Sequence, residues 1–417
     1  MQLVRGVSKN IFVNYALLGF FLFSIIFLGA YRIGPLSVRN YVSFASIIYL
    51  LSNIKSIRID IGFRWYVIYV VTIIFLGFLN KDYQSIDFWR TIFGYHIVCI
   101  LLYLILSVFI KTKEHISQII RILLLFYIFN CVVSIFQFKN IYIGWVIGQI
   151  INPDVTSRLI DYESQLLYSD SFLNLSIIAG ICGFVVANGY FLATYLPIVS
   201  RPIWNSGKKN LILGSLILTI AVVTSYMIQQ RMAFILIISY VLFIIYRRLN
   251  FLTKIFLIII FIVICLFSSG LDIDMGRLTL DQSNEDRIEL FQQFNSFLES
   301  GNIICGGYSD YLTRFGGIGQ HNTFLDTWTR SGLIGLFIYL ILYIMIFFKS
   351  IVVAYQSYLK KDHVTATCSF ACIIYLLYST THSTGLQSGD ILFWLPYVLM
   401  VFSFNLGKSD NRRMAKL

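Results

Sequence analysis

A chain of 417 residues in which 58% are hydrophobic and 12% charged is not a soluble globular protein, for which about 45–50% apolar and about 25% charged residues are usual. Its formal net charge of +12 does not call for a nucleic-acid partner, because in a polytopic membrane protein Lys and Arg first mark the loops that stay cytoplasmic. The seven cysteines lie mostly inside apolar runs, with no CxxC pair and no Cys/His cluster at metal-ligand spacing. They read as small core residues, and the chain is expected to use no metal and no other cofactor.

Apolar runs of about 17–25 residues, enough to cross a hydrocarbon core of roughly 30 Å, recur along the whole chain. They predict spans at about 11–30, 40–54, 63–79, 92–110, 116–137, 172–195, 210–228, 232–246, 253–270, 327–348, 364–381 and 391–406. The expectation is therefore an all-α integral membrane protein of about 12 transmembrane helices, one polytopic domain over residues 1–417. The first run has no small-residue cleavage site behind it and reads as a retained helix rather than a signal peptide. Trp65, Trp89 and Trp204, near span ends, read as interfacial anchors within a 17% aromatic composition.

An even span count puts both termini on one side, and the basic residues say which. Arg5 and Lys9, Lys55, Arg58 and Arg64, Lys111, Lys113 and Arg121, and Arg201, Lys208 and Lys209 share that side with Arg247, Arg248 and Lys254, Lys349, Lys360 and Lys361, and the tail from Lys408 to Lys416. The other side carries about half as many, so the termini are cytoplasmic. The loops at about 138–170 and 271–320 then face outward, as does the tight turn at Gln229–Arg231. Both loops are expected to carry short helices. The clearest is Ser283–Ser300, with Ser283 as N-cap, Ile288, Phe291, Phe294 and Leu298 at helical spacing, and Gly301 as its stop.

The polar residues that could carry chemistry gather on this outer face. No acidic residue occurs between Asp170 and Asp272, so Arg231 has no sequence-local ion-pair partner; it either serves a ligand or snorkels to headgroup phosphates. Arg287 has no acid at three- or four-residue spacing, and paired guanidinium groups suit a diphosphate. Arg314 and Arg330 extend this set of candidate substrate-binding cations. His321 is the one histidine of the outer long loops, with Asn322 beside it, in the glycine-rich stretch from Ile303 to Leu336. Histidine is the usual proton acceptor near neutral pH, although a lone histidine is more often a structural hydrogen bonder. Asp326 and Arg330 follow at one and two turns, and Gly332 and Gly335 suit close helix contact. Asp272 and Asp274 form a DxD, a weak signal that reads more simply as solvated acids.

Residues 321–336, with HN, nine residues and then GLIGL running into a span, resemble the O-antigen polymerase and O-antigen ligase family of bacterial polytopic membrane enzymes. CGGY and GGIG upstream, QQRMA at Arg231, the arginine opening the loop helix at Arg287, and GFVVANGYFLATYLP at Gly183–Pro197 extend the likeness over about the last 250 residues. The resemblance implies a GT-C-like glycosyltransferase in the bacterial inner membrane, acting at the periplasmic face on undecaprenyl-pyrophosphate-linked oligosaccharide without metal. Membrane lipid and a chain-length regulator protein would be its partners. Arg231 and Arg287 would hold the diphosphate and His321 would deprotonate or position the acceptor hydroxyl, with Asn322, Arg314 and Arg330 as further substrate contacts. Gly335 stands where the ligases often have Thr or Val, which favours a polymerase, although neither loop has the spaced arginine-glycine pattern of some polymerases. Transfer of finished glycan to lipid A core, by a ligase, and a flippase for lipid-linked oligosaccharides stay as the alternatives. A flippase is expected to carry charges at mid-membrane and repeat symmetry.

Overall fold

The computed structural model describes residues 2–34, 36–139, 141–153, 178–182, 185–204, 207–228, 230–248, 294, 303–307, 322–382 and 385–414. Apart from a hairpin pairing Arg32–Ile33 with Leu36–Ser37, the regular structure among these residues is helical, in an all-α membrane architecture. The elements are α1 Gln2–Phe27, α2 Val38–Ala45, α3 Ile47–Ser52, α4 Ile61–Leu79, α5 Ile86–Thr91, α6 Ile97–Phe109, α7 Lys113–Phe138, α8 Tyr142–Ile151, α9 Val185–Val199, α10 Lys208–Ile228, α11 Arg231–Arg248, α12 Thr323–Leu359, α13 His363–Ser379 and α14 Ile391–Met414. A π turn over Ile92–His96 joins α5 to α6. Six of the described helices are long and apolar enough to cross a membrane: Ile61–Leu79, Ile86–Phe109, Lys113–Phe138, Lys208–Ile228, Thr323–Leu359 and Ile391–Lys408.

Three expectations are corrected. The run at 40–54 is not one helix: a break at Ser46 divides it into α2 and α3, of 8 and 6 residues. At 172–195 the described residues 178–182 are not helical, and the helix runs from Val185 to Val199. Lys349 stands inside α12 rather than in a loop, where its ammonium pairs with Asp60. The expected span at 253–270 lies outside the described residues, as does most of the loop at 271–320, whereas the loop at 138–170 is described over 138–139 and 141–153 and carries α8.

Tyrosine supplies much of the glue between the helices. Tyr66, Tyr69, Tyr103, Tyr127, Tyr190, Tyr195, Tyr339, Tyr375 and Tyr378 are fully buried, so the aromatic content serves the core as well as the membrane interface. A buried phenol needs a partner for its hydroxyl, and here that partner is usually on another helix. Tyr127 donates to the Leu192 carbonyl at 3.1 Å, Tyr195 to that of Leu392 at 3.2 Å, and Tyr343 to that of Leu376 at 3.0 Å. Trp204 is also buried, its Nε1 donating to the Tyr240 hydroxyl at 3.1 Å, so it is a core residue and not the lipid anchor its position suggests.

A second polar device fixes the ends of the first long loop. Gln137 on α7 donates from Nε2 to the carbonyls of Gly144 (3.3 Å) and Gly180 (3.0 Å), while its Oε1 accepts from the Gly180 N–H (2.9 Å). One turn and two turns earlier, Ser134 and Asn130 hold Asn188 of α9 at 3.1 and 2.7 Å, and Asn130 Oδ1 accepts from the Ile181 N–H at 3.0 Å. All of these groups are buried, and mutual pairing is what makes their burial tolerable.

The feature that shapes the end of the bundle where α12 starts is a break in that helix. Gly332 has φ 63° and ψ −171°, a combination open in practice only to glycine. On a straight helix, the 16 residues between Thr323 and Tyr339 would span about 24 Å. Instead their hydroxyls are 2.8 Å apart, and the rings of Phe324 and Tyr343 are 5.1 Å apart. Residues 323–331 thus fold back along the main body of α12. Their first residue lies at the level of Tyr339, about 10 Å below the break.

Residues 303–307 complete that break. The N–H groups of Leu333 and Ile334, which have lost their helical acceptors, donate to the carbonyls of Ile303 (3.0 Å) and Ile304 (3.3 Å). Trp328 Nε1 donates to the Ile303 carbonyl at 3.2 Å, and Asn80 Nδ2 to that of Cys305 at 3.1 Å. The approach is so close that a Cβ on Gly332 would lie 2.1 Å from the Ile304 carbonyl oxygen. Gly332→Ala should therefore lower stability by about 1–3 kcal/mol or more. Thermal unfolding of the detergent-solubilised protein would show this against Gly19→Ala, whose Cβ meets nothing within 4 Å.

Candidate functional site

The folded-back arm 323–331 brings the start of α12 into a buried polar cluster. Asn322 caps the arm, its Oδ1 accepting from the N–H groups of Phe324 (2.9 Å) and Leu325 (3.2 Å), the task for which Asn is favoured at this position. Thr323 donates to Gln387 Oε1 and accepts from the Tyr339 hydroxyl. Tyr69 of α4 reaches the Gln387 carbonyl at 3.5 Å. The folded-back arm and main body of α12, α4 and the 385–390 loop thus meet at Gln387.

That loop is the part of the site that the sequence reading passed over. A Cβ on Gly385 would stand 2.4 Å from Gln387 Oε1 and 3.0 Å from Thr323 Oγ1, and one on Gly389, at φ +70°, would meet the His96 nitrogen at 2.9 Å. Both glycines let the backbone press into the bundle between α12, α13 and the π turn. Its sequence, STGLQSGD before the last span, is the signal by which it could have been found. Asp390 closes the loop, accepting from the Leu392 N–H at 3.0 Å and from the Tyr375 hydroxyl at 2.7 Å. Burial pushes its carboxyl above the usual carboxylate range, against the opposing pull of those two hydrogen bonds and of the Arg39 charge.

Arg231 is the first residue of α11 and is partly exposed. A cation there opposes the positive end of the helix dipole, so both together favour an anion. The turn before it packs on α9 at Gly189, where a Cβ would lie 3.3 Å from Gln230 Cβ and 2.5 Å from the Tyr378 hydroxyl. Tyr190 stacks on Tyr378 at 3.9 Å, and the His382 ring is 5.0 Å from Tyr378. Ser379, one residue on from Tyr378, lies against Gly385 and through it against Thr323. The starts of α11 and α12 are therefore joined through the end of α13, with His382 against Tyr190 and Tyr378.

Arg330 is paired. Its Nε is 3.1 Å from Oδ2 of the fully buried Asp326, and its own side chain is 22% exposed. The spacing of four residues is what brings the charges together on one helix face. This makes Arg330 first of all the counter-ion of Asp326 within the arm. His321, Arg287 and Arg314 lie outside the described residues, as do Asp272 and Asp274. Of the expected loop helix 283–300 only Phe294 is described: it is helical and buried, its ring 5.3 Å from that of Trp328 on the arm. Among the described residues no three His, Cys, Asp or Glu side chains are grouped so as to hold a metal.

The chain matches no protein-family model, and no match was found among curated proteins. Removal of one member of the Asp326–Arg330 pair leaves the other without its counter-ion in the bundle, which costs about 3–5 kcal/mol in buried pairs. Asp326→Asn is therefore expected to lower the unfolding temperature and the yield of folded protein. Asp326→Asn combined with Arg330→Gln should recover most of both, as read by fluorescence-detected size exclusion.

Proposed function

We propose that the chain is a glycosyltransferase, a polymerase of O-antigen or a related surface polysaccharide, that transfers glycan from undecaprenyl pyrophosphate to a sugar hydroxyl of a lipid-linked repeat unit. The reading includes a GT-C-like bundle of about 12 spans in the bacterial inner membrane, with cytoplasmic termini and a periplasmic site. The observation that carries it is the recessed start of the α12 arm, where Thr323, two residues on from His321 in sequence, meets the end of α13 through Gly385 and thereby the turn before Arg231. Donor and acceptor could be held there together, as an effectively intramolecular reaction requires.

In this scheme the acceptor hydroxyl attacks the anomeric carbon, the bond from that carbon to the diphosphate oxygen breaks, and the lipid diphosphate leaves with the electron pair. Its growing negative charge would be met by Arg231, Arg287 and Arg314. His321 takes the hydroxyl proton as the new bond forms. Asn322 has its carbonyl committed to the helix cap, so its amide N–H group is what it offers to a sugar hydroxyl. Arg330, as the partner of Asp326, keeps the arm in shape.

One observation favours a second reading. The Asp326–Arg330 and Asp60–Lys349 pairs put charge inside the helical bundle, which suits a flippase for the same lipid-linked sugars. Glycan gels from a deletion strain separate the readings: single repeats on lipid A core indicate a lost polymerase, polymer retained on undecaprenyl pyrophosphate a lost ligase, and no glycan outside a lost flippase. Arg231→Ala and His321→Ala are each expected to abolish the polymer ladder at unchanged protein level. A normal ladder in the His321→Ala strain would refute the proposed chemistry.

A further inference from the structure

A pocket of about 170 Å³ opens beside the outer end of α1, between the hairpin at 32–37, α2, α5 and the π turn. A single water needs roughly 10–15 Å³ on the same measure, so this volume admits a group the size of a phosphate or diphosphate. Three guanidinium groups line it, from Arg32, Arg39 and Arg90, with Ser37, Trp89 and Tyr95 among the other side chains. It lies on the same face as the α12 break, since Gly77 near the end of α4 packs on Phe88 of α5, and Asn80 beyond that end binds the Cys305 carbonyl.

The charges of the pocket are out of balance. Arg90 pairs with Asp87 at 2.8 Å, an exposed contact of small worth. Arg32 is exposed. Arg39 lies so close over Gly29 that a Cβ there would sit 1.6 Å from Nη2. Its Nε is buried and makes no hydrogen bond among the described residues, and its charge is met only by the Tyr95 ring at 5.8 Å and, at longer range, by Asp390 and Cys99. A buried guanidinium without an acceptor is costly unless an anion completes it. Around the pocket, Ile33, Ile86, Phe93 and Tyr95 are exposed, an apolar rim suited to acyl chains.

We propose that this pocket binds the phosphate group of an anionic lipid, with Arg39 as its inner contact, Arg32 and Arg90 at its mouth, and the apolar rim against the chains. It stands apart from Arg231 and the α12 arm and does not depend on the glycan-transfer reading. Dihexanoyl phosphatidic acid, dihexanoylglycerol and inorganic pyrophosphate, titrated calorimetrically into the full-length protein in a neutral detergent, test it without any glycan. Phosphatidic acid should bind more tightly than either of the others, and Arg39→Gln should weaken it roughly tenfold or more, as loss of a charge-assisted contact implies. The double variant Arg32→Gln/Arg90→Gln alters exposed side chains only and should weaken it several-fold at unchanged unfolding temperature. Equal binding of dihexanoylglycerol, or unchanged affinity in the double variant, overturns the proposal. Pyrophosphate binding as tight as that of phosphatidic acid overturns the lipid as its source.

Discussion

The arrangement around the start of α12 follows from one backbone conformation, the positive φ of Gly332. A helix broken there has N–H groups with nothing to donate to, and in a membrane such groups must find protein acceptors. The carbonyls of Ile303 and Ile304 serve that need. The close passage they require is open because both Gly306 and Gly332 lack a Cβ. Two glycine motifs that stand about 25 residues apart in the chain are therefore one structural unit, and neither has its conformation without the other.

The break also explains why polar residues can lie buried within the bundle. Folded back, the arm delivers Thr323, Asp326 and Arg330 to a level where the surroundings are Tyr69, Tyr339 and Gln387 rather than lipid. Thr323 is met by Gln387 and Tyr339, while Asp326 and Arg330 pair with each other on the arm itself. The arrangement rigidifies the start of α12, which carries the Asn322 cap and directly follows His321 in sequence.

The membrane class and the long helices were legible in the sequence because apolar length is a local, additive signal. The turn at Arg231 was legible for the same reason, whereas Asn322 was read as a substrate contact and its cap of the arm came only with the structure. The role of Gly332 was not: GLIGL reads as a close helix contact, and the break becomes visible only with its acceptors from a distant segment. Asp326 and Arg330 were both noted and left unpaired, although a spacing of four residues carries the pairing. The 385–390 loop lacked any charge pattern to raise it above other short outer turns, and its importance comes from what its two glycines touch. Tyrosine content suggested interfacial belts, whereas hydroxyls buried between helices are a tertiary fact that composition does not separate from a belt.

Gln137 offers a different kind of consequence. With one amide it holds both Gly144, ahead of residues 154–177, and Gly180, beyond them, so the chain on either side of that segment is fixed by the bundle. The entropy of closing such a loop rises by only about 0.6 kcal/mol for each doubling of its length. Insertions or deletions between the anchors then leave the helices where they are. A frame of this kind can exchange the residues between its two anchors in evolution while the bundle that holds them stays the same.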